Sequence, residues 1–160
     1  MSVTLRQPLT LAECQLVREW RNDPVVLPML RTGYKTEEEQ AAFYRDVICN
    51  PESGHLYYAI TKPAGARRML GCGGLTYLHR KPGEAEISLI LGPRERGQGF
   101  GARAVDVLLA QAWRIGLESV IGECYAGGPR GFWEAQFHRH SLESVTFSED
   151  GSMRWRWVKP

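Results

Sequence analysis

Residues 94–101, "RERGQGFG", place three glycines at alternate positions, and the elements on either side of them set the fold. An apolar run, "EISLILG", comes just before this stretch and predicts a strand. Residues 100–113 repeat their apolar side chains at helical spacing and predict an amphipathic helix. A glycine turn between a strand and a helix directs several backbone N–H groups to one point, at the positive end of the helix dipole. The stretch therefore predicts a phosphate-binding turn. An ordinary tight connection is the alternative, because glycine turns without ligands are common.

Two capping boxes predict two helices before the turn. In each box, a threonine is followed three residues later by a glutamate, at residues 10–13 ("TLAE") and at residues 36–39 ("TEEE"). The first helix stops near "RNDP", because a residue before proline avoids the helical region. Residues 25–34 between the helices form a loop rich in apolar side chains.

Most of the remaining chain predicts strands. Segments rich in β-formers lie at residues 55–61, 69–78 and 84–91, separated by the turns "KPAGAR" and "HRKPG". They predict a meander of three antiparallel strands. After the helix at residues 100–113 come a strand, a short helix and a closing hairpin, at residues 119–126, 129–137, and 143–147 with 153–158. The order βααβββαβαββ indicates one α/β domain over residues 1–160.

Composition excludes several classes of protein. A chain of 160 residues with 43% hydrophobic content buries the core of one ordinary domain. The formal charge of +2, from 20 basic and 18 acidic residues, is too small to attract nucleic acid or an anionic membrane. No apolar run approaches the roughly 20 residues that span a bilayer, and residues 1–10 show no basic segment followed by an apolar core of signal-peptide length. We therefore expect a cytoplasmic protein that acts on small molecules, with no nucleic-acid or membrane partner.

Cysteines and histidines indicate neither a metal site nor a disulfide framework. The four cysteines lie far apart in sequence and form no C-x-x-C pair. His138 and His140 lack a third ligand nearby. We expect no bound metal.

Three phosphate-binding motifs compete for the glycine turn. The P-loop fails, because no Lys-Ser or Lys-Thr follows the glycines. The dinucleotide-binding pattern G-x-G-x-x-A is met by Gly97, Gly99 and Ala102, with Glu123 as the ribose-binding acid. However, its first glycine comes several residues after the strand, and too few βαβ units follow for a doubly wound sheet. The third pattern, R/Q-x-x-G-x-G/A, is met by Arg94, Gly97 and Gly99.

This third pattern resembles the pyrophosphate loop of the GCN5-related N-acetyltransferases, and the predicted element order is also that of the family. The resemblance implies a mixed, mostly antiparallel sheet flanked by helices. The segments "LRQPLT...EWRNDP" and "LGCGGLTYL...EAEISLIL" are similar to the subgroup that includes ribosomal-protein alanine and amino-sugar acetyltransferases.

The resemblance implies acetyl transfer from acetyl-CoA to a primary amine of a small molecule, an amino sugar or a peptide N-terminus. Backbone amides of residues 96–101 would hold the pyrophosphate, and the pantetheine would pair like a strand with residues 89–91. The implied cofactor-binding residues are Leu89, Ile90, Leu91, Arg94, Arg96, Gly97, Gln98, Gly99, Phe100, Gly101, Ala102, Arg103 and Trp133. A homodimer is compatible with the resemblance.

A general base helps this reaction, because an amine with a pKa near 10 is mostly protonated at pH 7. Glu86 is the candidate, since it lies on the strand before the turn, where similar family members carry a glutamate. Glu84 is its rival, because strand alternation puts it on the same face. Alternatively, both carboxylates are solvated strand residues without a catalytic role.

One segment departs from the family pattern. Many members carry a tyrosine that assists departure of the thiolate, in a segment resembling N-x-x-A-x-x-F-Y-E-K-x-G-F. The corresponding stretch here is "GGPRGFWEAQFHR", which puts Trp133 in the tyrosine's place. An indole N–H donates a hydrogen bond but no proton. Tyr125, Cys124 or water would then protonate the departing thiolate, unless its departure needs no acid. Alternatively, Trp133 is simply an aromatic residue of the core.

The family binds its acceptor through the first two helices, the loop between them and the last strands. The candidates in this region are Trp20, Arg21, Asn22, Arg31 and Tyr34. They suit a sugar nucleotide, a small amine or a peptide N-terminus almost equally. Two further functions stay open: a domain that binds acyl-CoA without catalysis and, less favoured, a dinucleotide-binding protein.

Overall fold

The predicted order βααβββαβαββ is confirmed by the computed structural model, which describes residues 2–63 and 68–160. The strands are β1 (Thr4–Arg6), β2 (Leu56–Thr61), β3 (Met69–Thr76), β4 (Glu84–Leu91), β5 (Ser119–Cys124), β6 (Leu142–Phe147) and β7 (Met153–Val158). The helices are α1 (Leu11–Asn22), α2 (Glu37–Phe43), α3 (Phe100–Arg114) and α4 (Arg130–Phe137). Part of the predicted turn "KPAGAR", at residues 64–67, lies outside the described residues.

Both predicted capping boxes are present. The Thr10 hydroxyl accepts a hydrogen bond from the Glu13 N–H (3.1 Å), and the Glu13 carboxylate accepts one from the Thr10 N–H (2.9 Å). Thr36 and Glu39 repeat this arrangement at the start of α2. Each box satisfies two helix-terminal N–H groups and so fixes where the helix begins. Within the described residues, no helix is both long enough and apolar enough to cross a membrane.

The seven strands form one sheet in the order β1-β2-β3-β4-β5-β7-β6. Neighbouring strands are antiparallel except β4 and β5, so the predicted meander β2-β3-β4 is confirmed. The doubly wound sheet that a dinucleotide-binding protein needs is not formed, because a single strand pair is parallel among the described residues.

The parallel pair β4–β5 is short. It comprises Glu84 with Ser119, Ala85 with Val120, and Glu86 with Ile121. Beyond this point β5 continues along β7, while β4 continues to its end along β3. The sheet therefore splits between β4 and β5, directly before the glycine turn.

Helices cover the two faces of the sheet unequally. Helix α3 buries Leu108 and Leu109 against one face, in the core that contains Trp155 and Trp157. Full burial of such a leucine contributes about 2 kcal/mol to folding. On the other face, α1 packs against β2, β3 and β4. The region of that face next to the split, on β5, β6 and β7, carries a cavity instead.

Candidate active site

The glycine turn between β4 and α3 has the conformation that its sequence predicts. Gly97 and Gly99 have φ angles of +72° and +81°, a region that residues with a β-carbon rarely adopt. A β-carbon built on either glycine would have no atom of the described chain within 4 Å. The space in front of the turn is therefore open, and the backbone can approach a ligand closely there.

Unpaired amide donors line this open space. Within the described residues, the N–H groups of residues 97–102 have no hydrogen-bond acceptor, and the first bond of α3 runs from the Arg103 N–H to the Gly99 carbonyl (3.4 Å). The positive end of the helix dipole lies at the same place. Arg94 and Arg103 are exposed beside the turn. This set of donors fits a pyrophosphate group.

The edge of β4 that faces the split is also free to pair with a ligand. The Gly92 N–H donates to the Leu70 carbonyl of β3 (2.9 Å), whereas the Leu91 carbonyl faces the other way and accepts from Arg96 Nε (3.2 Å). Because backbone groups alternate along a strand, Leu89 also presents its N–H and C=O toward the split, and Ile90 presents its own toward β3. An extended ligand chain can pair with this edge.

Arg96 connects the turn to the end of α1. Its guanidinium donates to the Asp23 carboxylate (3.2 Å). The pKa of Asp23 is held below its usual range, first by the hydrogen bond from the Val25 N–H and then by Arg96. The Arg96 side chain thus holds the turn in place, while the backbone donors face the open side.

The first turn of α3 is packed against α4. Phe100 is buried, and a β-carbon on Gly101 would come within 2.8 Å of the Phe132 ring. The predicted cofactor residues Gln98 and Ala102 lie in the same loop and helix turn, where the Gln98 amide donates to the Arg94 carbonyl. The start of α3 is therefore rigidly positioned behind the amide donors.

A cavity of about 320 Å³ lies where β4 and β5 separate. It receives side chains from four strands, from the α1–α2 loop and from the β3–β4 turn. Its lining residues are Arg31, Arg80, Glu86, Ile121, Gly122, Glu123, Ser144, Thr146, Arg154, Trp155 and Arg156. The cavity is adjacent to the open edge of β4, because Glu86 is the last β4 residue paired with β5.

The two candidate bases lie in different surroundings. Glu86 lines the cavity, and its nearest cation is Arg80 at 3.7 Å. Burial raises the pKa of Glu86, and the charge of Arg80 offsets part of this rise. Glu84 instead pairs with Arg156 (2.8 Å) and accepts a hydrogen bond from Ser119 (2.9 Å). Glu86 is the less constrained carboxylate and the one that faces the cavity.

Glu123 is the second acid that lines the cavity, and the sequence suggested it only as a ribose ligand. Its carboxylate lies between Arg154 (3.2 Å) and Arg31 (3.5 Å). Since Glu86 pairs with Ile121, Glu123 follows two residues later on the same face of β5. Strand alternation predicts from the sequence that Glu123 and Ile121 share one face of β5. The register of β4 with β5 is needed to show that this face brings Glu123 close to Glu86.

Tyr125 lies just after β5, one residue beyond the strand end, although the sequence predicts a strand through residue 126. The Arg31 guanidinium lies 4.7 Å from the centre of its ring. Burial raises the pKa of the Tyr125 phenol, and the charge of Glu123 adds to this rise. The phenol therefore stays protonated at neutral pH and is able to donate a proton or a hydrogen bond.

Trp133 is buried in the main core. Its ring centre lies 4.9 Å from that of Trp155 and 4.9 Å from that of Phe132. Cys124 is buried as well, and burial raises the pKa of its thiol. Both side chains thus belong to the main core, and Trp133 packs against Trp155, which lines the cavity.

Of the five acceptor candidates, Arg31 lines the cavity. Trp20 is buried under the end of β4, where a β-carbon on Gly92 would approach its ring to 3.0 Å. Tyr34 is exposed. The sequence places all five in or beside the α1–α2 loop but gives no signal for which of them point inward.

Two further candidates, Arg21 and Asn22, fix the α1–α2 loop. Arg21 donates to the Thr32 hydroxyl, and burial lowers the pKa of its guanidinium. Asn22 donates to the Lys35 carbonyl (2.7 Å) and accepts from the Lys35 N–H (2.9 Å). These bonds tie the part of the loop just after Arg31 to the end of α1.

The histidine pair offers no metal site in the described ranges, where no group of three His, Cys, Asp or Glu side chains is placed to hold a metal ion. His140 instead contacts Asp106 (3.1 Å) and packs against Trp157.

Comparison with known proteins identifies the fold and the family. The family model described as the acetyltransferase (GNAT) domain matches residues 2–130. A spermidine N-acetyltransferase chimera from Vibrio cholerae and hSSAT is 14% identical, with a TM-score of 0.79 over 99% of this chain and 96% of that one. A domain from Methanocaldococcus jannaschii is 13% identical, with a TM-score of 0.77 over 99% of both chains.

The aminoglycoside acetyltransferase AAC(6')-Ib, solved in complex with coenzyme A, is 15% identical, with a TM-score of 0.75 over 99% of this chain and 95% of that one. No curated protein sequence matches the chain. At these identities the solved structures show the fold, and the family model shows the family.

Proposed function

The chain belongs to the acetyltransferase (GNAT) domain family, and from this premise we propose how its site transfers an acetyl group from acetyl-CoA to a primary amine. One observation carries the proposal: the open amide donors of the glycine turn, the free edge of β4 and the carboxylate of Glu86 lie next to one another around the split in the sheet. Residues 1–160 act as one domain in this proposal, since α4, β6 and β7 complete the sheet that residues 2–130 begin.

The chain holds the donor mainly through its backbone. The N–H groups of residues 97–102 bind the pyrophosphate, helped by the exposed side chains of Arg94 and Arg103. Leu89 and Leu91 pair with the pantetheine along the open edge of β4. Bound acetyl-CoA supplies an acetyl thioester, which an amine can attack. Acetyl-CoA is an intracellular metabolite, and its use as the donor supports a cytoplasmic location.

Glu86 acts as the general base. The acceptor amine arrives mostly as an ammonium, so a proton must leave before nitrogen can attack. The raised pKa of Glu86 makes its carboxylate a stronger base than an ordinary glutamate, directly or through a water molecule. Glu86 takes one proton from the ammonium, and the new C–N bond forms as the C–S bond breaks. Tyr125 protonates the departing sulfur, and the second proton that the nitrogen loses restores the Tyr125 phenol.

The acceptor is a small molecule in this proposal. A cavity of about 320 Å³ is at the small end of the roughly 300–1,000 Å³ typical of ligand pockets. Two relatives of this fold are named for small amines, spermidine and aminoglycosides. The segments at residues 5–24 and 70–91 resemble the subgroup with ribosomal-protein alanine and amino-sugar acetyltransferases. Of these two kinds of acceptor, the small cavity volume favours an amino sugar.

A thiol-release assay with acetyl-CoA and a panel of primary amines tests this function. We expect CoA release that depends on both substrates and an acetylated amine of the corresponding mass. Binding of acetyl-CoA without turnover of any amine would favour a non-catalytic acyl-CoA-binding domain. Failure to bind acetyl-CoA at all would contradict the proposal.

A further inference from the structure

Charges in the acceptor cavity are arranged in two layers. The carboxylates of Glu86 and Glu123 are recessed, with side chains 28% and 14% exposed. The guanidiniums of Arg31, Arg80 and Arg154 are at the mouth, with side chains 61%, 56% and 67% exposed. A ligand that enters the cavity therefore meets positive charge at the mouth and negative charge at the floor.

The three arginines at the mouth lie farther from the acids below them than Arg156 lies from its own acidic partners. Their shortest distances to Glu86 or Glu123 are 3.5 Å, 3.7 Å and 3.2 Å. Arg156, by comparison, is engaged at 2.8 Å and 2.9 Å by Glu84 and Glu143. Three guanidiniums face two carboxylates, so the mouth keeps a surplus of positive charge, and each guanidinium carries five N–H donors, more than its contact with Glu86 or Glu123 uses.

Hydroxyl groups add to the donors on the same wall. Ser144 and Thr146 of β6 line the cavity, and Thr146 is the cross-strand partner of Arg154. Guanidinium and hydroxyl donors on one wall are the groups that bind phosphate and carboxylate oxygens, and the planar guanidinium fork matches either anion.

We propose that the acceptor is a small amphoteric molecule, whose phosphate or carboxylate is bound at the mouth by Arg154 with Arg31 and Arg80 while its amine reaches Glu86 at the floor. This inference rests on the proposed acetyl transfer and adds the substrate class. The small cavity requires both groups in one compact molecule. A polyamine would place a second ammonium against the guanidiniums, which like-charge repulsion disfavours.

Paired acceptors that differ only in the anion provide the test. The kcat/KM for acetylation is measured for glucosamine 6-phosphate against glucosamine, for an α-amino acid against its amide, and for spermidine. We expect the anionic member of at least one pair to be preferred by tenfold or more, in line with a charge-assisted contact. The pair with the larger preference distinguishes phosphate from carboxylate.

Arg154→Gln removes one guanidinium at the mouth. We expect the preference for the anionic acceptor to fall by about tenfold to a hundredfold, through KM rather than kcat, with little change for the neutral partner. Calorimetry with the preferred anionic acceptor should show the same loss of affinity without any chemical step. Arg45→Gln is the matched control, because Arg45 is an exposed arginine paired with Asp46 outside the cavity.

The outcomes of these experiments test the substrate class separately from acetyl transfer itself. Equal turnover of neutral and anionic acceptors, preference for spermidine, or an unchanged preference in Arg154→Gln would overturn the substrate class and leave acetyl transfer intact. Lack of turnover with every amine would overturn acetyl transfer and the substrate class together.

Discussion

The glycine turn and the cavity beside it are built by the chain in different ways. The turn comes from consecutive residues, 94–102, and offers mainly backbone N–H groups. The cavity is made from side chains of β4, β5, β6 and β7 and of two connections far apart in sequence. Under the proposed function, substitutions in the cavity can thus change the acceptor without disturbing the glycine turn, whereas the turn tolerates few changes at its glycines.

The largest effect is expected in the turn, from Gly99→Asp. The new side chain puts a negative charge into the space in front of the amide donors and strains a backbone with φ +81°. Loss of two charge-assisted bonds, each worth about 1.5–3 kcal/mol, should weaken acetyl-CoA binding at least about a hundredfold. Calorimetry measures the affinity.

Gly116→Asp is the matched control for this variant. Gly116 has φ +90° and equally open surroundings in the described chain, but it lies at the opposite end of α3. It should lower the melting temperature as Gly99→Asp does and leave acetyl-CoA affinity unchanged. Equal affinity of both variants for acetyl-CoA would contradict the assignment of the turn.

On the cavity side, Glu86→Gln should keep acetyl-CoA affinity and lower turnover by about a hundredfold, the usual contribution of a general base. The loss should shrink at high pH, where the amine loses its proton unaided. Glu84→Gln is the comparison, since Glu84 is engaged by Arg156 and Ser119. Near-normal turnover at pH 7 in Glu86→Gln, with a large loss in Glu84→Gln, would reverse the two roles.

Stability gives a second view of Glu86. Burial raises its folded-state pKa, so the folded protein favours the protonated form, and stability falls as pH rises through that pKa. Glutamine cannot ionise. The melting temperature of Glu86→Gln should therefore equal that of the wild type well below the ordinary glutamate pKa of about 4.3 and exceed it at neutral pH. A lower melting temperature of the variant than of the wild type at pH 7 would argue against a Glu86 carboxylate whose negative charge burial destabilises.

The smallest effects on turnover concern the two aromatic residues behind the reaction centre. Tyr125→Phe should lower kcat by about tenfold or more with little change in acetyl-CoA affinity, because the lost contact exists only as the thiolate leaves. Trp133→Phe should cost about 1–3 kcal/mol of stability through lost packing and keep measurable turnover. Steady-state kinetics and thermal melts on both variants check this. Full activity in Tyr125→Phe would leave water as the proton donor.

The same contrast explains what the sequence could predict. Capping boxes, the β-meander and the glycine turn depend on neighbouring residues, so Thr10, Thr36 and Gly99 are recognisable from the sequence alone. The approach of Arg154 to Glu123 depends on the register of β7 with β5, which no local pattern specifies.

Tertiary contacts also decide which candidates point inward. The loop between α1 and α2 was predicted to carry acceptor residues, yet Arg31 faces the cavity while Trp20 is buried in the core and Tyr34 is exposed. The split between β4 and β5, which opens the edge of β4, follows from where β7 joins β5. Strand propensity alone does not reveal it.

Amide hydrogen exchange, with and without acetyl-CoA, tests most directly whether the turn and the edge of β4 form the donor site. We predict that acetyl-CoA slows exchange in residues 87–103 and leaves the β6–β7 hairpin at residues 142–158 largely unchanged. Protection of the hairpin with none in residues 87–103 would contradict it, because the donor would then occupy the cavity assigned to the acceptor.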